Sequence, residues 1–337
     1  MNKLILLLLS FAALSGAQAT TSTYPGWAYA VPTPQNEAVA PSDDGTLFTL
    51  PGSKGRFSRS QISGAGHQPP ADWYPQDHPP MPPLVSAGNA ARGITACAAC
   101  HYPNGKGRPQ NANIAGLNAD YLRRQLRDMK AGTRKSSEPR KHNAQQMVDF
   151  AKAMSEAEMR QVAAYYACLP PTVAIKVIET GTVPRMRSQE GLWLPEPSGA
   201  REPIGDRVIE TPADVEREQL RDPRSGFIAY VPIGAVAKGQ QLVAKWNCAG
   251  CHGEKLTGTS SETPGIAGRS PSYLARQLYD FQQGSRHGEQ AAAMQLVASK
   301  LGASDVVNLT AYLASLPAHG FKRQARSGRR PGPSGRN

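Results

Sequence analysis

Two pentapeptides hold the most specific chemistry in the chain, Cys97-Ala98-Ala99-Cys100-His101 and Cys248-Ala249-Gly250-Cys251-His252. Each sets two thiols two residues apart with an imidazole directly after them. A disulfide across that gap would close a tight redox ring, so a structural disulfide framework explains the spacing poorly. Zinc would need four ligands drawn together. Here each thiol pair has its own adjacent histidine, and Cys248 lies 147 positions beyond His101. C-x-x-C-H is the attachment signature of c-type haem. The cysteines bond the vinyl groups, and the histidine reaches the iron from the same side. The residues therefore predict two covalently bound haem c groups, with His101 and His252 as proximal iron ligands.

The elements that must position these motifs repeat. Gly88 and Gly239 each stand nine residues before the first cysteine, and a short segment suited to an N-terminal helix follows each. Tyr121-Leu122-Arg123-Arg124-Gln125-Leu126 matches Tyr273-Leu274-Ala275-Arg276-Gln277-Leu278, with apolar residues at helical spacing. Gly132-Thr133-Arg134 matches Gly284-Ser285-Arg286, and Ala164–Pro170 matches Ala311–Pro317. Ser155 and Ser304 are the predicted N-caps of the last helix in each copy, and Pro170 and Pro317 stop those helices. The expected fold class is all-α: two copies of one small helical haem domain, at 84–170 and 234–317, with long irregular N-terminal and interdomain segments.

The repeat also nominates the sixth iron ligands. Met129, Met147, Met154, Met159 and His142 compete in the first copy, and Met294, His287 and His319 in the second. Met147 and Met294 each precede their closing proline by 23 residues, whereas Met154 breaks that register by seven. Met147 and Met294 are therefore predicted to ligate. His/Met ligation raises the reduction potential and closes the iron to substrate. Pro264, twelve residues after His252, is placed to offer its carbonyl to the proximal histidine, and Ala112 holds the corresponding position without the rigid ring. Arg134 and Arg286 are candidates to neutralise haem propionates. Tyr165 and Tyr312 are expected on the packing face of the last helices. Cys168, in the slot of Ser315, is expected to be a buried, inert thiol.

Residues 1–19 combine Lys3, the apolar run Leu4–Leu14 and Ala17-Gln18-Ala19, which predicts an export signal and a periplasmic destination. Residues 20–83 are rich in Pro and Gly, yet Trp27 and Trp73 argue for a segment draped over the domains. Residues 171–233 are expected to be an irregular linker wrapping both domains. The net charge is +12, and the tail 318–337 holds six cations and no acid. That balance predicts acidic or membrane-bound redox partners, allows peripheral membrane association, and is read as steering rather than nucleic-acid binding.

Both C-x-x-C-H motifs, the Tyr-Leu-x-x-Gln-Leu helix, the Gly-x-Arg turn, Met147 and Met294, and the tyrosine-bearing last helix together resemble the diheme class I cytochromes of the c4 type. The resemblance covers about half the chain, near 84–170 and 234–317. It implies two tandem class I cytochrome c domains related by a pseudo-twofold, with haem edges close across the interface. It also implies single-electron shuttling in the periplasm, from a quinol-oxidising complex or dehydrogenase to an acceptor such as an oxidase, rather than catalysis. The competing readings are a cytochrome subunit of a dehydrogenase complex and a diheme enzyme such as a thiosulfate dehydrogenase. The segments before and between the two copies depart from the family pattern.

Overall fold

The protein is described here from a computed structural model covering residues 24–172, 175–259 and 263–318. The export segment 1–19, His319 and all of the basic tail beyond Ala318 lie outside the described residues.

Helix-forming sequence gathers around each C-x-x-C-H motif. After α1 (Arg59–Ser63) and α2 (Pro83–Ser86), the first motif is itself a short helix, α3 (Cys97–His101), followed by α4 (Ala119–Ala131), α5 (His142–Ala153) and α6 (Glu156–Cys168). Asn118 caps α4 by accepting from the amides of Asp120 and Tyr121. A Ser155–Glu158 capping box starts α6. Leu84, Val85, Leu122, Val162 and Tyr166 join in one core behind the motif. Cys168 corrects the expectation of a buried thiol: it is exposed, and its Sγ donates to the Tyr165 carbonyl at 3.0 Å. The buried face of α6 carries Met159, Val162, Ala163 and Tyr166, and at about 100° per residue position 168 falls on the opposite side.

The interdomain segment corrects the all-α expectation. Among the described residues it holds seven strands and one helix: β1 (Ile175–Glu179), β2 (Thr182–Pro184), β3 (Met186–Gln189), β4 (Leu192–Pro195), β5 (Arg201–Pro203), β6 (Ile209–Pro212), α7 (Val215–Gln219) and β7 (Phe227–Val231). The main sheet has the order β1-β7-β6, with β1 and β7 parallel (Ile175 opposite Phe227) and β6 antiparallel to β7 (Ile209 opposite Tyr230). Phe227, Ala229 and Val231 are buried while Ile228 and Tyr230 are half-buried, the period-two pattern of a strand with one inner face. β3 and β4 form a hairpin across Glu190 and Gly191, both with positive φ (51° and 78°), as a two-residue hairpin turn demands.

The second motif forms α9 (Cys248–His252), preceded by α8 (Ala235–Lys245) and followed by α10 (Pro271–Gln282), α11 (Ala292–Ala298) and α12 (Ala303–Ser315). Helices α8 and α12 cross closely, because a Cβ on Gly239 would stand 2.0 Å from the Asn308 carbonyl oxygen. Gly88 has no such helix; it sits at φ 70° in a turn after the four-residue α2. The cap of α12 is Gly302, whose amide donates to Asp305 Oδ2 at 3.1 Å, so the predicted cap Ser304 is already inside the helix. The sheet packs on this domain through Val208, Ala229, Val231, Val307 and Ala311.

The N-terminal segment is tied down at both ends. Ala28 and Tyr29 pack with Ala275, Val306 and Leu309 of the second domain. Trp73 is 2% exposed and donates from Nε1 to the Leu220 carbonyl at 2.8 Å. Among the described residues, no helix is long and apolar enough to cross a membrane.

Candidate functional site: two haem cavities and the seam between them

Each proximal histidine closes its short helix and is oriented by backbone. His101 Nδ1 lies 2.9 Å from the Ala112 carbonyl oxygen, and His252 Nδ1 lies 2.8 Å from that of Pro264. A carbonyl only accepts, so each Nδ1 carries the hydrogen and each Nε2 is left as the free donor to a metal. Both rings are buried, which lowers their pKa and keeps the imidazoles neutral, the form that ligates. All five cysteines are free. Burial pushes the Cys97 thiol up to about 12 and raises Cys100 and Cys248. Unpaired thiols that line the cavity at the first motif, and at the second a Cys248 packed with the cavity-lining Leu274 and Leu313, each beside an oriented histidine, fit covalent haem at both sites.

A cavity opens beside each motif. The first is lined by Cys97, Cys100, His101 and apolar side chains including Leu122, Leu126, Phe150 and Val162. The second is lined by His252, Pro264, Ile266, Leu274, Phe281 and Leu313. Met147 on α5 and Met294 on α11 are half-buried and each lines its own cavity. Met129 and Met154 also line the first cavity, but Met154 is already 4% exposed within the protein core. Met159 is buried away from both cavities. His142 and His287 are exposed and line neither cavity, and neither does Cys168.

Arg134 and Arg286 lie at the seam of the domains. Arg134 donates to Gln125 Oε1 at 2.9 Å, to the Tyr273 hydroxyl at 3.1 Å and to Gln277 Oε1 at 3.0 Å. Arg286 mirrors it, donating to Gln277 Oε1 at 3.0 Å, the Tyr121 hydroxyl at 3.0 Å and Gln125 Oε1 at 2.8 Å. The two residues also pair as a backbone bridge, flanked by Lys135 N to Ser285 O at 2.9 Å and His287 N to Thr133 O at 2.8 Å. Tyr121, Gln125, Tyr273 and Gln277 line both cavities, so the two haem sites meet at this pseudo-twofold cluster.

Sequence reasoning did not single out Arg269 and Arg276. Arg269 is 8% exposed, lines the second cavity and donates to the Asn113 carbonyl at 2.8 Å. Arg276 is 5% exposed, lines the first cavity from the second domain, and donates to the Ala28 and Pro109 carbonyls at 2.6 Å each. The readable signal was the tyrosine and glutamine recurring four apart on an otherwise apolar helix face.

The cytochrome c family matches the chain twice, at residues 85–167 and 236–317. A cytochrome c-554(548) from Halomonas halodenitrificans is 30% identical over 82 residues, spanning 24% of this chain and 96% of that protein. The chain belongs to the cytochrome c family. Cytochrome c4 of Azotobacter vinelandii is 26% identical over 238 residues, covering 68% of this chain and 90% of that one. A thiosulfate dehydrogenase electron acceptor from Thiomonas intermedia is 27% identical over 224 residues, covering 66% and 79%. With two such domains, this cytochrome c carries two covalently bound haem c groups and transfers electrons.

Proposed function

We propose that this cytochrome is an exported periplasmic carrier of single electrons whose irons are closed by His101 and Met147 in the first domain and by His252 and Met294 in the second. The observation that carries this reading is that each cavity presents one histidine with a free Nε2 and a half-buried methionine at the matching position of the repeat, Met147 on α5 and Met294 on α11, whereas Met129, also half-buried at the first cavity, lies on α4. Bound haem supplies a reversible one-electron couple. The chain's own residues hold the iron's ligands, exclude water with apolar side chains, and set buried guanidiniums where propionates need cations. Arg134, Arg286 and the unforeseen Arg269 take that role at the seam.

The electron source fits a dehydrogenase or a quinol-oxidising complex, and the acceptor a terminal oxidase. The likeness to an electron acceptor of thiosulfate dehydrogenase supports the first kind of donor. The fifth cysteine, Cys168, is exposed and stands away from both cavities, a position that favours a carrier over an enzyme with a sulfur ligand. The broad added surface of residues 24–83 and 175–233 favours, as a second reading, a cytochrome subunit docked on a dehydrogenase; stable co-purification with a catalytic subunit would select it. A redox titration followed optically tests the main reading. The expected result is uptake of two electrons per chain with both irons low-spin throughout. Rapid binding of an external ligand by either iron would overturn it.

A further inference from the structure

The two haem attachment faces differ in what covers them. In the second domain the motif faces outward: Asn247, Gly250, Cys251, Glu254 and Lys255 are exposed. In the first domain the matching turn is covered, with Ala98, Ala99, Tyr102 and Lys106 all at 4% exposure or less. The cover is the interdomain insertion. Arg221, just past α7, donates from Nη1 to the Ala99 carbonyl at 2.6 Å. Glu218 accepts from the Tyr102 hydroxyl at 3.0 Å and from Arg108 Nε at 2.6 Å. Lys106 Nζ reaches the carbonyls of Asp222 and Ser225. Trp73 then pins the insertion from outside through the Leu220 carbonyl. At the second motif the residue matching Ala99 is Gly250, which is exposed; the next carbonyl along, that of Cys251, is met from within its own domain by Thr259 Oγ1 at 2.7 Å, as that of Cys100 is by Asn111 Nδ2 at 3.2 Å.

We infer that the insertion makes the first haem an internal relay, and that both electrons pass to and from outside partners through the open face around Cys251. The inference rests on the carrier reading above. The internal leg runs across the seam, where Tyr121, Gln125, Tyr273 and Gln277 line both cavities. The charged residues between 233 and 259 are Lys238, Lys245, Glu254 and Lys255, all exposed, and exposed Lys300 lies 6.0 Å over the Trp246 ring beside them. That cationic rim fits a redox protein with an acidic docking face. Each outward step takes one electron from a ferrous haem to the partner's acceptor centre and leaves the haem ferric.

The test uses the full protein with both haems attached. The fully reduced protein is mixed with ferricyanide, an anionic one-electron oxidant that becomes ferrocyanide, and the loss of ferrous haem is followed. Lys245→Glu with Lys255→Glu is expected to slow oxidation about tenfold over the whole amplitude, both haems together. Lys152→Glu, equally exposed on α5 of the first domain, is expected to leave the rate unchanged. A binding readout uses hexacyanochromate, a redox-inert paramagnetic trianion: it is expected to broaden the amide signals of Gly250, Cys251 and Lys255 and to spare those of Ala98 to Lys106. Slowing of only half the amplitude, no slowing at all, equal slowing by Lys152→Glu, or broadening at the first motif would overturn the inference. Uptake of fewer than two electrons at equilibrium would instead sink the carrier reading on which it rests.

Discussion

Met147 and Met154 both line the first cavity, and the difference between them lies in what already surrounds each. Met154 is packed into the protein core at 4% exposure, while Met147 is half-buried toward the cavity. A thioether that must reach an iron cannot be spent on filling a core gap. Met147→Ala and Met294→Ala are therefore each expected to abolish the far-red iron–sulfur band of one haem, halving its total intensity, while Met154→Leu leaves it intact; retention of full intensity in Met147→Ala would refute the assignment. The arginines at the seam make a second case. Arg269 and Arg276 are buried and Arg134 and Arg286 half-buried, and their hydrogen bonds go to carbonyls, amides and hydroxyls. A cation beside a haem disfavours the ferric state, which carries one more positive charge. Arg134→Gln should lower a haem potential by on the order of tens of millivolts, the size of a Coulomb interaction across a partly solvated protein; an unchanged pair of potentials would show that solvent already screens the site. At this scale the C-x-x-C-H ligands were legible because covalent chemistry dictates their spacing. Arg269 and Arg276 were not, because their partners are the carbonyls of Asn113, Ala28 and Pro109, between 156 and 248 residues away.

Helices were more legible than strands, and α6 shows why. Its start is written locally: Ser155 accepts from the Glu158 amide, and the Glu158 carboxylate accepts from the Ser155 amide at 2.8 Å. Arg92 then adds a long-range contact, and its hydrogen bond is the main cause that pulls the Glu158 carboxyl down to about 2 from 4.5. A depressed carboxyl stabilises the fold above its unfolded value near 4.5 and loses that contribution as pH falls toward 2. Both side chains are partly solvated, so Glu158→Gln should cost only about 0.5–1 kcal/mol at pH 7. The difference from the parent protein should shrink through pH 4 and vanish near pH 2 in denaturant titrations; a constant offset would assign the loss to packing. By contrast, β7 is the five-residue apolar run Phe227–Val231, a length at which periodicity alone does not separate strand from helix. The turn that joins β3 to β4 is Glu190-Gly191, which lacks the Asn-Gly or Asp-Gly signature of such hairpins. The repeat gave the helices a second copy to be checked against, and the insertion had none. Where the copies differ the check failed, as at Gly88, which lies beyond a four-residue helix while Gly239 lies inside an eleven-residue one.

Two buried glutamates show how the insertion is bound into the whole molecule. Glu218 and Glu210 are each 1% exposed, one facing the first domain and one the second. Glu218 is compensated by the Arg108 guanidinium, which is itself nearly buried, with a side-chain exposure of 9%. Removing one charge of such a pair leaves the other uncompensated in a low-dielectric site, and the cost is about 3–5 kcal/mol. Among the described residues Glu210 has no cation at contact distance: its Oε2 accepts from Ser270 Oγ at 2.6 Å and the Ser272 amide at 3.2 Å, and Oε1 has no hydrogen-bond partner there. Burial is the main cause that raises its pKa. A carboxyl raised in the folded state contributes most below its unfolded pKa, and stability declines as pH rises through the folded value. Glu210→Gln should therefore be neutral or stabilising at pH 8 and lose that advantage below pH 4. Glu218→Gln should instead destabilise throughout the neutral range and release the insertion from the first domain. Hydrogen exchange locates that effect: faster exchange is expected at residues 97–107 and 215–225, with the amides of 248–258 unchanged. Uniform acceleration across both motifs would mean that Glu218 supports the molecule globally instead of sealing one haem face, because a seal local to the first domain has no means of loosening the second.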